Sequence, residues 1–384
     1  MNRNAVLGLC LAAALGTAGC QDENTEPTGP VEGSDSPSLA LGQVKIDRGR
    51  LKPPVSARMT DQYFAPGARR AVTPSTCSSS TPVVNWYRGE YNEFRIGEPE
   101  LWEILYWNNS ADLIPTYDAL VFQTDDTPQY FGYNGEYTQV MQKTHKDVKR
   151  FWDIFSDDIQ LIGMHGTMVQ DVERSAAVYA SPLVFNLPPA LATALAEENR
   201  EALLASEVLD GGNHPLFSFN AFAFSGPQFG IPDKIVMGDG ILEGYRVVGL
   251  DDVAPQGVYA HEFAHHIQFE NGYFDESIPG SVNPDDAEET RYTELMADAM
   301  AAYYLTHKRG AAMNQKRVEE FLQVFFQIGD CAFTDPNHHG TPLQRMAAAQ
   351  FGFAEAKAAQ KQGHILPSDE FHDRFRAIYT TLID

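Results

Sequence analysis

Two histidines four residues apart, His261 and His265, stand in the run Val258-Tyr-Ala-His-Glu-Phe-Ala-His-His-Ile-Gln-Phe269. Apolar residues recur there at helical spacing, and neither Pro nor Gly falls between Val258 and Asn271, so the pattern predicts a helix. Residues four apart share one helix face, a turn above each other, and the two imidazoles can meet at one metal ion. Glu262 is rotated by about 100° from His261, too far for a natural third ligand but able to reach a water held by that metal. Zinc is the expected metal, because borderline-soft nitrogen ligands suit it and hydrolytic sites favour it. The competing reading is a solvated helix that happens to carry two histidines.

A catalytic zinc site needs a third protein ligand and an open fourth position. The next helical run, Pro284 to His307, contains Glu294-Leu-Met-Ala-Asp298, which puts two more carboxylates one turn apart. Glu294 completes a His, His, Glu set. Asp298 can accept from the far nitrogen of a ligand histidine, fixing its tautomer. An acidic surface face would explain both carboxylates equally well. The neighbours Leu295, Met296, Ala299, Met300 and Ala302 argue for burial, where a carboxylate needs a metal or a partner.

With His261-Glu-Phe-Ala-His-His-Ile-Gln268, Glu294-Leu-Met-Ala-Asp298, His339-Gly-Thr-Pro-Leu-Gln-Arg345 and Gly352-Phe353 in place, roughly Asn220 to Ala356 resembles the bacterial neutral zinc metallopeptidases of the gluzincin type. Ala264 departs from the Gly expected there. The resemblance implies an α+β, zincin-like metallopeptidase fold: a small mixed sheet over two zinc-bearing helices, a helical C-terminal lobe and a cleft between. It implies Zn2+ on His261, His265 and Glu294, with Asp298 and Arg345 behind the ligands and Glu262 as general base. Asn220-Ala221 is similar to a segment that pairs with substrate backbone in such families; the alternative is a plain core strand. His339, six residues before Arg345, also resembles the His-to-Arg pattern of CAAX-type membrane proteases. It is the candidate oxyanion donor of the loop Asp330 to Gly340, against a capping or packing role, with Tyr245, Tyr273 and Tyr292 as competitors. The expected reaction is hydrolysis of a peptide or protein by metal-activated water. Two other readings remain open: a catalytically inactive zincin-fold surface lipoprotein acting as a binding module, and a solute-binding lipoprotein with an accidental motif.

The chain around these motifs divides into three parts. Residues 1–19 read as a lipoprotein signal peptide, with a positive start, a short apolar run and Thr17-Ala-Gly-Cys20, which resembles a lipobox. Cys20 is the expected lipidation site, and the expected address is exported, lipid-anchored, at the outer membrane or cell surface; an ordinary secretory signal is the alternative. Residues 20–80 are rich in Pro, Ser, Thr, Gly and acidic groups and read as a disordered tether. Residues 81–384 form the expected metallopeptidase domain, with residues 81–215 as its N-terminal lobe and 216–384 carrying the zinc site and helical lobe. Cys77 and Cys331 are the expected disulfide, against two free thiols. A formal charge of −24 excludes nucleic acid as a natural partner and leaves the membrane to the N-terminal lipid.

The pattern predicts helices over Glu136–Phe155, Pro189–Leu209, Asn314–Ile328, Pro342–Lys361 and Pro367–Leu382. It predicts strands over Ile159–Met164, Ala176–Phe185, Leu216–Phe224 and Asp233–Leu242. Asp251 or Asp252 is expected to cap the metal helix. His145, His165 and His266 are expected to be structural.

Overall fold

The computed structural model describes residues 81–383 except 109, 112, 283–285, 328–338 and 363. Cys20, the tether, Cys77, Cys331 and most of the loop before His339 lie outside the described residues. The architecture is α+β, mostly helical around one three-stranded sheet. No helix among the described residues is long and apolar enough to cross a membrane.

In chain order the elements are α1 (Pro82–Gly97), α2 (Pro99–Trp107), α3 (Leu113–Tyr117) running into a π-helical turn at Asp118–Phe122, α4 (Thr138–Phe151), β1 (Gln160–Met164), α5 (Val172–Ala180) and α6 (Pro189–Ala205). Then come β2 (Ala221–Phe224), β3 (Lys234–Gly238), α7 (Asp239–Val247), α8 (Ala254–Asn271), α9 (Asp286–Thr306), α10 (Gln315–Gln327), α11 (Pro342–Gln362) and α12 (Ser368–Ile383). Thr81 caps α1 by accepting from Val84 N–H, while its own hydroxyl donates to the Gln327 carbonyl at 2.6 Å. The start of the described chain is thereby fixed to the end of α10.

The sheet order is β1-β3-β2, with β1 parallel and β2 antiparallel to β3. Successive residues of a strand face opposite sides. Leu161, Ala221, Ile235 and Met237 join the core that holds α8 and α9. Ile162, Met164, Phe222, Phe224 and Val236 join a second core with α5 and α6. Both faces are therefore covered, and α8, buried nearly all round, lies against one of them. His266 pins α8 to the sheet through Nε2 and the Lys234 carbonyl, 3.0 Å apart, and His145 Nδ1 lies 2.6 Å from the Tyr259 hydroxyl of α8. Both are structural, as expected.

Four expectations about local structure need correction. Ala176–Phe185 is not a strand: its first half completes α5. Asp171 caps that helix by accepting from Arg174 N–H, and Ser175, Val178 and Tyr179 bury one helical face. The predicted strand at Leu216 begins only at Ala221, because His214 Nδ1 accepts from Leu216 N–H and sets a 3-10 turn first. The strand from Asp233 stops at Gly238, after which α7 starts. Neither Asp251 nor Asp252 caps α8: Val253 occupies the capping position without a side-chain bond, and the Asp252 carbonyl accepts from Arg317 instead.

Burial pushes the His214 imidazole down to about 4, while its unfolded value is about 6.5. The folded state thus refuses a proton that the unfolded chain accepts. Its contribution to stability is full above about pH 6.5 and falls by up to about 1.4 kcal/mol per pH unit toward pH 4. His214→Asn keeps a capping acceptor and removes the titration. Denaturant unfolding at pH 7.5 and pH 5.5 should show the variant losing less stability on acidification than the wild type; parallel losses would contradict this.

Candidate metal centre

Helices α8 and α9 hold the centre between them, both contributing extensively to the core. His261 and His265 present their Nε2 atoms 3.2 Å apart, with the rings nearly perpendicular. Glu294 of α9 reaches both: Oε2 lies 3.2 Å from His261 Nε2, and Oε1 lies 3.4 Å from His265 Nε2. Nitrogen and oxygen ligands at about 2.05 Å in a tetrahedron stand about 3.3 Å apart. The His, His, Glu triangle thus has the dimensions of a metal site, and it can hold a metal ion.

Each ligand is oriented from behind. His261 Nδ1 lies 2.9 Å from Asp298 Oδ1; the two are close enough to pair electrostatically, although the ring N–H is not aimed along a hydrogen bond. Asp298 in turn accepts two bonds from Arg345, from Nε at 2.8 Å and Nη2 at 2.7 Å. Arg345 also approaches Glu294 at 3.4 Å and is wholly buried. Asp298 thus stands against His261, and Arg345 against Asp298. α11 brings Arg345 this close because Gly352 packs on α9 without a side chain; a Cβ there would run into the Ala299 carbonyl oxygen.

His265 depends on Gln268, whose role the sequence reading missed. Gln268 Oε1 lies 2.8 Å from His265 Nδ1, and Gln268 Nε2 donates to the Thr293 carbonyl at 2.7 Å. The second bond orients the amide so that its oxygen faces the imidazole. His265 then carries its proton on Nδ1 and turns the Nε2 lone pair toward the triangle. Thr293 immediately precedes Glu294, so one amide couples ligands on two helices. The spacing from His265 to Gln268 is one helical turn and was visible; its partner on α9 was not.

Glu262 is buried outside the triangle. Burial raises its proton affinity, with Glu294 adding to the rise, while His261, His265 and a backbone hydrogen bond with Ala223 pull it down. Burial also works against a charge on His261, but Asp298 and Glu294 outweigh it and bring that imidazole up to about 9. For Glu294, burial is outweighed by His339, His265 and His261, which hold the carboxylate well below its usual range.

His339 is buried and close enough to influence Glu294. It precedes Gly340, whose φ of 94° suits glycine. Thr341 and Gln344 then close a reciprocal capping box at the start of α11. The rival tyrosines are engaged elsewhere: Tyr245 donates to the Val324 carbonyl, Tyr273 to Asp369, and Tyr292 accepts from Arg376.

Ala221 opens β2, an edge strand among the described residues. Gly238 N–H donates to the Asn220 carbonyl, so Asn220, Phe222 and Phe224 turn their backbone polar groups to β3. Ala221 and Ala223 turn theirs to the free edge, the side of Glu262. Asn220 itself is buried, with no partner for Oδ1.

Replacing Gln268 with Leu frees His265 to rotate and to change tautomer. Metal affinity, measured by chelator competition, should drop by about 10–100-fold. An unchanged affinity would show that Gln268 does not set the ligand.

No family model matches this chain, and neither any curated protein nor any solved structure matches it. The chemistry of the centre must be read from its own geometry.

Proposed function

We propose that this chain is a zinc-dependent peptidase with a zincin-like arrangement of the two ligand helices and the sheet. The observation that carries the proposal is the position of Glu262. It is a buried carboxylate beside the His261, His265, Glu294 triangle, not part of it, and in contact with the free edge of β2. A purely structural metal site has no use for that group and closes its fourth position with protein; among the described residues only three ligands converge.

Zinc on the three ligands would supply Lewis acidity to a scissile carbonyl and to an attacking water. The chain's own groups account for the rest. Glu262 accepts the proton of the water and delivers it to the leaving amine; burial tunes a carboxylate toward the range that a base working near neutrality needs. An extended peptide aligns on β2 by bonding to the outward backbone groups of Ala221 and to the Ala223 carbonyl, in the manner of an added strand, while the Ala223 N–H holds Glu262. His339 is the donor for the oxyanion that develops at the carbonyl. Asp298 and Arg345 hold His261, and Gln268 holds His265.

Lipid anchoring through Cys20 and export remain part of this proposal, resting on the N-terminal sequence alone. Zincin-type resemblance likewise rests on the three motifs.

Elemental analysis should find about one zinc per chain, sharply reduced in Glu294→Ala. Glu262→Gln should keep the metal and lower cleavage of a peptide library by about 10²–10⁴-fold. Zinc without cleavage in the wild type would make the chain a binding module. Full turnover by Glu262→Gln would remove Glu262 as the base.

A further inference from the structure

The carboxyl ends of two parallel strands stand beside a cavity of about 470 Å³, which His165 lines. The β1–β3 register pairs Met164 with Gly238, so the next residues, His165 and Asp239, emerge side by side. His165 Nδ1 lies 2.7 Å from Oδ2 of the buried Asp239, whose Oδ1 accepts from the Gly132 N–H at 2.9 Å. Tyr130 lies flat on the imidazole, ring centres 3.8 Å apart and planes 6° off parallel. Gly163 makes room for this stack: a Cβ there would meet the Tyr130 carbonyl oxygen and stand 2.7 Å from His165 Nε2. The carboxyl ends of parallel strands are where open α/β sheets bind ligands.

With its Nδ1 proton directed at Asp239, a neutral His165 keeps a lone pair on Nε2, which has no partner among the described residues. Asp171 uses one oxygen to cap α5. The obvious donors are engaged: Arg174 grips Asp118 through Nε and Nη2, Gln170 donates to the Gly211 carbonyl at 2.6 Å, and Thr167 pairs with the Tyr130 hydroxyl. Asp171 is the acid of the lining and Arg174 its cation, and Arg174 is turned onto Asp118, while Asp239 stands behind His165. Tyr130 is 42% exposed and offers its second face to the space.

We propose that this cavity binds a small organic cation, a primary ammonium or guanidinium group. The cation donates to His165 Nε2 and Asp171, and its carbon stem lies on Tyr130, where a ring face attracts positive charge. The cation can belong to a free amine or to a Lys or Arg side chain of a peptide. The site shares no residue with the metal centre, so this inference does not depend on the proposed peptidase activity.

Two probes separate the sources: agmatine, and an arginine residue blocked at both ends. Calorimetry on the full chain should show saturable binding of at least one of them. N-butylurea, similar in shape but uncharged, should not bind. Asp171→Asn keeps an Asn cap on α5 and should weaken binding about tenfold through the lost charge. Tyr130→Leu should weaken it as well, and the His165 imidazole ¹⁵N resonances should move on titration of the wild type. Agmatine alone, or the blocked arginine alone, identifies the source. No binding of either, equal binding of butylurea, or indifference to Asp171→Asn overturns the inference.

Discussion

Two imidazole nitrogens and a carboxylate meet at 3.2–3.4 Å between two largely buried helices, and this meeting governs the rest of the molecule. Two lone pairs aimed at each other repel, and a buried carboxylate with only lone pairs for company is costly. A positive charge must stand among them. Without metal, a proton on His261 answers that need, held there by Asp298 and Glu294 although burial opposes it. A metal ion answers it better, since all three ligands can bind it at once. Metal binding therefore displaces a proton, and proton and metal compete for the same pocket.

The centre also requires charge balance at longer range. Glu294 and Asp298 bring two negative charges into a core that excludes water, and Arg345 is the fixed cation that faces both. Its fork geometry suits the bidentate grip on Asp298. That grip needs α11 almost in backbone contact with α9, which makes Gly352 a part of the site although it bears no chemistry. His265 is supported differently, by a neutral amide that hangs on the α9 backbone. One ligand is thus made more basic by a charge and the other is only oriented.

The candidate metal ligands were legible because the helix itself sets their spacing. His261, His265, Glu294 and Asp298 are pairs one turn apart, and burial of their helices follows from the residues between them. Arg345 was legible only through resemblance, since nothing local marks its partner. Gln268 was missed because its second bond goes to a backbone carbonyl, which no residue type reveals. The short strands were the least legible part. A sheet covered on both faces loses the polar-apolar alternation that identifies a strand, and Ala176–Ser181 reads as well for a strand as for the helix that Asp171 starts. β3 gave way to α7 at Asp239 without any break in apolar character, so that boundary was invisible too.

That boundary is where the sheet acquires two different ends. The free edge of β2 faces Glu262, whereas the carboxyl ends of β1 and β3 face His165 and Asp239. Asp239 opens α7, where the helix dipole favours a negative charge, and the Gly132 N–H adds a hydrogen bond. Burial opposes that charge and shifts the carboxyl upward. A buried carboxylate maintained against this opposition fixes the orientation of the imidazole beside it, as Asp298 does at the metal. In each place a buried acid stands beside a histidine, and a glycine permits a close approach. The difference lies in what the histidine nitrogen faces: two other ligands at the metal centre, and a cavity at the carboxyl ends of the strands.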